Sequence, residues 1–110
     1  MQIYLSVTLY DIITKLKLMT YDYLSKIILF SLHRKGYYGA KHTPVVHVCK
    51  RIPQHSCKDI KKKIKELIKG GLLVPYPTRH GLDVHININR LSEVKTLIKP
   101  LEDEMDYFKE

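Results

Sequence analysis

The sequence predicts an α+β domain in which three helices lead into a β-hairpin, with an extra helical segment at each end. Three observations predict it. Residues 56–69, SCKDIKKKIKELIK, place Ile60, Ile64, Leu67 and Ile68 at i, i+4, i+7 and i+8, one apolar stripe of helical period. Two apolar runs follow at once, 72–74 and 82–88, separated by PYPTRHG at 75–81, a cluster of turn formers. Upstream, Leu24, Ile27, Ile28, Phe30 and Leu32 give residues 21–35 the broad apolar face of a central helix.

Each element has its own local reason. The first ten residues alternate, with Ile3, Leu5, Val7 and Leu9 on one side and Gln2, Tyr4, Ser6, Thr8 and Tyr10 on the other, which is strand-like. Ile12, Ile13, Leu16 and Met19 then continue at helical spacing. The segment reads either as a strand followed by a helix or as one long helix, and a helix over 9–19 is favoured. It carries more apolar surface than a free tail exposes, and packing onto the body or pairing with a second copy would bury it. Thr20 is expected to cap a helix over 21–35, with Asp22 near its positive end and Gly36 as its stop. Tyr37, Tyr38 and Gly39 are expected to form a short edge strand. Thr43 followed by Pro44 signals a short helix over 44–50, which Ile52 and Pro53 break.

Ser56 caps the next helix, and Asp59 three residues later completes a capping box with Asp in place of Glu. Gly70 and Gly71 end that helix, where a left-handed residue is expected. After the hairpin, Asn89 is expected to cap a helix over 90–99 with Leu91, Val94, Leu97 and Ile98 as its stripe. Pro100 is expected to kink or end it, and residues 101–110 would set Leu101, Met105 and Phe108 on one helical side.

Length and composition bound the partners. One hundred and ten residues make one domain with a modest core, and 45% hydrophobic with 27% charged residues is globular rather than disordered. The formal net charge of +8 is unevenly placed. Residues 33–80 carry twelve Lys or Arg against Asp59 and Glu66, whereas the last ten residues are acidic through Glu102, Asp103, Glu104, Asp106 and Glu110. A basic body points to a polyanionic partner, nucleic acid first and an anionic membrane surface second. The acidic tail would screen that body, dock on it, or simply be a solvated helix end. No window approaches eighteen uninterrupted apolar residues, so no membrane-spanning helix is expected. The N-terminus lacks a basic n-region, and Asp11, Lys15 and Lys17 interrupt it, unlike a signal peptide.

Two cysteines, Cys49 and Cys57, are too few for a disulfide scaffold, and an intracellular, cytoplasmic location is expected. His47, Cys49, His55 and Cys57 are a zinc-compatible set, but at no familiar spacing. Cys57 lies near the apolar stripe of its own helix, where a thiol packs as a small hydrophobe, so no metal and no cofactor are expected. Six histidines invite an enzymatic reading, yet residues 23–100 hold only Asp59, Glu66, Asp83 and Glu93 as carboxylate partners. There is no P-loop, no dinucleotide-binding glycine turn and no serine elbow. The expectation is a binding protein, not an enzyme, with no small-molecule substrate evident. His42 and His80 would sit near phosphates or solvent. Tyr37, Tyr38 and Tyr76 would pack at the sheet edge, with stacking on single-stranded bases as the lesser reading.

The order helix (21–35), short strand (37–39), helix (44–50), helix (56–69) and hairpin (72–88) resembles the winged helix-turn-helix domain of small prokaryotic transcription regulators. The resemblance covers residues 20–88 and rests on element order plus the Gly-Leu-Leu step at 71–73. The stretch HRKGYYGAKHTP is also similar to small archaeal winged-helix proteins of undefined function. The resemblance implies a three-helix core with a β-hairpin wing, a recognition helix over 56–69 and a wing tip at 78–81. It also implies that the flanks, residues 1–19 and 89–110, make a homodimer.

The expected partner is double-stranded DNA, bound by a transcription regulator or a chromatin-like, nucleoid-associated protein. Lys58, Lys61, Lys62, Lys65 and Lys69 would hold phosphates, Gln54 and His55 would meet base edges, and Arg79 and His80 would clamp the neighbouring backbone or minor groove. Base reading favours Arg, Asn and Gln, so a lysine face suits affinity more than discrimination. An ordinary solvated lysine face is the plain alternative. A winged-helix adaptor for an acidic protein and an RNA binder are the rival functions.

Overall fold

The computed structural model describes residues 9–18 and 20–107. The strand-like start at 1–8, Met19 and Phe108 lie outside the described residues. In chain order the elements are α1 (Leu9–Leu18), α2 (Tyr23–Arg34), β1 (Thr43–Pro44), α3 (Val45–Arg51), α4 (Cys57–Lys69), β2 (Leu73–Thr78), β3 (Gly81–Ile86), a 3-10 turn (Ile88–Arg90) and α5 (Leu91–Tyr107). The three strands form one antiparallel sheet in the order β1-β3-β2. The chain is thus α+β, with helices packed around one end of a small sheet.

The core sits where α2 meets the other elements. Ile28, Leu29 and Leu32 of α2 pack with Ile60, Ile64 and Leu67 of α4, Val84 and Ile86 of β3, and Val94 and Ile98 of α5, all at or below 1% exposure. Burying each such aliphatic side chain contributes about 1.5–3 kcal/mol before conformational entropy is set against it. No helix among the described residues is long and apolar enough to cross a membrane.

Several boundaries differ from expectation for local reasons. The α2 cap is Asp22, not Thr20: its carboxylate accepts the Ser25 N–H at 2.9 Å. The edge strand is Thr43–Pro44, not 37–39. Tyr38 makes only an isolated bridge to Ile86, and the chain turns through Gly39, with φ +55°, before meeting β3. Helix α3 therefore starts one residue later than expected, with Pro44 as its cap and Thr43 in the sheet.

The hairpin is longer and tighter than expected. Pro75 and Pro77 lie inside β2 rather than in a turn, opposite Val84 and Leu82. β2 is an edge strand, where alternate backbone nitrogens face outward and proline forfeits no ladder bond. Only Arg79 and His80 remain as the turn. The last helix is preceded by a 3-10 turn capped by Asn87, not by Asn89, and it runs through Pro100 to Tyr107. Pro100 has no N–H for the Thr96 carbonyl, and both residues are exposed, where the loss of that bond is tolerated.

The two cysteines are joined. Cys49 near the end of α3 and Cys57 at the start of α4 form a disulfide, with Cα atoms 5.1 Å apart. The reading of Cys57 as a free, packed thiol is therefore corrected: the sharp turn between α3 and α4 brings the two side chains together across eight residues.

Candidate nucleic-acid interface

Helix α4 is built to present one face. Ser56 Oγ accepts the Asp59 N–H at 3.1 Å and fixes the first turn. The last turn closes with Gly71 N–H on the Ile68 carbonyl and Leu72 N–H on the Leu67 carbonyl, both at 3.0 Å, with Gly71 at φ +84°. Between these ends Ile60, Ile64 and Leu67 are buried against α2 and the sheet. That anchors the helix in rotation and decides which lysines meet solvent.

Lys58, Lys61, Lys62, Lys65 and Lys69 are all exposed. At 3.6 residues per turn they fall within an arc of about 100°. None of the five makes an ion pair with a carboxylate among the described residues. Asp59 and Glu66, the two acids of α4, lie beyond one edge of that arc. Lys63 lies beyond them, and it is paired: its Nζ is 2.8 Å from Asp22 Oδ2 and 3.6 Å from Glu66 Oε1. Asp22 is held below the ordinary carboxylate range: partial burial opposes this, but hydrogen bonds from Lys63 and Ser25 outweigh it. The hydrogen bond to Asp22 raises Lys63 in turn. The helix thus sorts its lysines into five uncompensated ones and one structural one.

The hairpin turn stands beside this stripe. Thr78 Oγ1 donates to the Gly81 carbonyl at 2.9 Å and accepts the His80 N–H at 3.2 Å, which holds Arg79 and His80 exposed at the tip. His80, Lys61 and Lys65 line one shared cavity of about 480 Å³, so part of the stripe and the tip converge. Gln54 and His55 are exposed in the turn before α4, and His55 shares a hollow with Lys62, Asp59 and the α2 start.

Other groups have roles that spacing does not reveal. His42 does not face solvent freely: its Nδ1 donates to Asp83 Oδ2 at 2.7 Å, and its ring stacks on Tyr76 at 3.9 Å between centroids. That contact buries Asp83 on the outer face of the sheet. Tyr38 meets His33 by a side-chain hydrogen bond, and Tyr37 lies beneath the Arg51 guanidinium at 5.2 Å. Arg51 Nη2 donates to Tyr37 Oη at 3.1 Å and Thr43 Oγ1 at 3.3 Å. His47 and His55 hold no metal set with the cysteines, whose sulfurs are bonded to each other. Val46 and Leu82, which also line the shared cavity, are not among the sequence-predicted site residues, since nothing in their spacing marks them.

Comparison with known proteins yields no matching family model, no similar curated protein and no similar solved structure.

Proposed function

We propose that this chain binds double-stranded DNA as a winged helix-turn-helix protein, with α4 as recognition helix and the β2–β3 hairpin as wing. The observation that carries this reading is the α4 stripe: five exposed lysines on one face, unpaired among the described residues, on a helix whose opposite face is locked into the core. The order α2-β1-α3-α4-β2-β3 and the β1-β3-β2 sheet are compatible with that layout. Unpaired lysines release condensed counterions when they meet phosphates, and that release drives binding. Gln54 and His55 stand at the α4 N-terminus, the end that enters the major groove in such domains, and Arg79 and His80 reach the flanking backbone or minor groove. The protein acts as a transcription regulator or a chromatin-like protein, with affinity ahead of sequence discrimination.

Dimerisation belongs to the same proposal. Leu9, Ile12, Ile13 and Leu16 form an i, i+3, i+4, i+7 stripe on α1, and all are exposed, Leu9 at 71%. Leu18 at the end of α1 reaches the core. A second copy packing on this stripe would cover it.

Fluorescence anisotropy with a mixed-sequence DNA duplex and a matched RNA duplex, from low salt to about 0.2 M, tests the reading. It predicts tight, steeply salt-dependent binding, stronger to DNA than to RNA. Preference for RNA would move the function to RNA binding. Absence of binding at low salt would discard nucleic acid and leave an acidic protein as the partner of the lysine face.

A further inference from the structure

The cavity between α3, α4 and the hairpin is poorly matched to a phosphate backbone. Its lining is apolar at Val46, Ile64 and Leu82 and basic at Lys61, Lys65 and His80. Phosphates use the basic groups but gain nothing from the apolar ones. Val46 is 51% exposed and Leu82 38% exposed, and both line this cavity.

Leu82 is exposed because of where the sheet ends. It shares a face with Val84 and Ile86, which the helices cover completely, but it lies one pleat further out, past that cover. Asp83 is the one acidic residue among the lining residues, and its carboxylate is engaged by His42, whose Nδ1 lies 2.7 Å from Oδ2. A volume of about 480 Å³ lies within the usual range for small-molecule sites.

We propose that this cavity binds a small amphipathic anion: an aliphatic or aromatic body against Val46, Ile64 and Leu82, with an acidic head between Lys61 and Lys65. The apolar lining and the lysines beside it select that chemistry. A neutral apolar molecule leaves the lysines unused, and an inorganic anion leaves the apolar lining wet. One consequence rests on the DNA-binding reading. Lys61 and Lys65 also belong to the DNA-facing stripe, so ligand and DNA exclude each other, and the cavity is an effector site acting by direct competition.

The test uses 8-anilinonaphthalene-1-sulfonate, an aromatic anion that fluoresces when shielded from water, with decanoate as competitor and decanol as its uncharged control. Leu82→Asn and Val46→Asn change exposed positions and leave the core intact, which circular dichroism checks. The expected result is saturable binding, displaced by decanoate more effectively than by decanol, and weakened at least roughly tenfold by either variant. Ile88→Asn, at an exposed apolar position away from the cavity and from the α1 stripe, is expected to leave it unchanged. Binding insensitive to both cavity variants, or lost in Ile88→Asn instead, would overturn the proposal. Duplex DNA added last separates the two readings. Fluorescence that behaves as expected without any DNA binding keeps the cavity and removes the DNA reading. DNA binding without saturable fluorescence removes the cavity alone.

Discussion

Lys63 Nζ lies 2.8 Å from Asp22 Oδ2, and the same carboxylate accepts the Ser25 N–H that caps α2. One side chain therefore starts a helix and ties that start to the flank of α4. The arrangement ranks the α4 lysines: Lys63 is spent on the fold, and the five others face solvent.

The ion pair makes stability depend on acid. Asp22 has a folded pKa below its usual 3.8, so its contribution is fully present above that value and is lost as pH falls through the lower folded value. Asp22→Asn keeps a capping oxygen and removes the charge. Urea midpoints are expected to be lower for this variant at neutral pH, with the gap closing in strong acid. A gap that does not change with pH would refute the ion pair.

Lys62→Ala and Lys63→Ala are expected to part company. The first is expected to weaken DNA binding on all sequences alike and flatten the salt slope by about 0.9 unit, one phosphate contact, with no loss of stability. The second is expected to lower the denaturation midpoint and leave the salt slope near that of the unaltered protein. Equal slopes in the two variants would remove the distinction.

Reduction of Cys49–Cys57 is expected to lower stability. The bridge closes a short loop, eight residues in sequence separation, and loop-closure entropy puts its contribution at about 2–3 kcal/mol. Thermal denaturation with and without a phosphine reductant checks this. The Cys49→Ser/Cys57→Ser double variant is expected to match the reduced protein and to ignore the reductant.

Gly71→Ala is expected to cost about 1–2 kcal/mol, because residue 71 is left-handed at φ +84° and an L side chain there is crowded by its own backbone. The added Cβ would also lie 3.0 Å from Arg90 Nη1. Chemical denaturation of the two proteins side by side measures it, and an unchanged midpoint would mean the helix end relaxes.

Legibility in the sequence followed the range of the interaction. Helix α4, its Ser56 cap and its Gly71 stop were readable because all three are written within a few residues of each other. The α2 cap was misplaced by two residues because Thr20 and Asp22 are both capping types, and the Asp22 bond to Ser25 N–H and its contact with Lys63 appear only in the folded chain. Pro75 and Pro77 read as turn residues because the edge position of β2, which tolerates them, depends on β1 taking the far side of β3. The disulfide was hidden for the same reason: eight residues of spacing carry no signal until the α3–α4 turn is folded. The lysine arc was legible from spacing alone. The cavity beside it was not, because Val46 and Leu82 come from two distant elements and their exposure depends on where the helices stop covering the sheet.

The most direct test of the central claim is the dependence of log K on log salt for duplex DNA, measured for the unaltered protein and for Lys58→Ala/Lys62→Ala/Lys65→Ala. At about 0.9 unit per phosphate contact, the triple variant is expected to lose roughly 2.7 units of slope while keeping its denaturation midpoint. An unchanged slope in a folded triple variant would contradict the assignment of α4 as the DNA-binding surface.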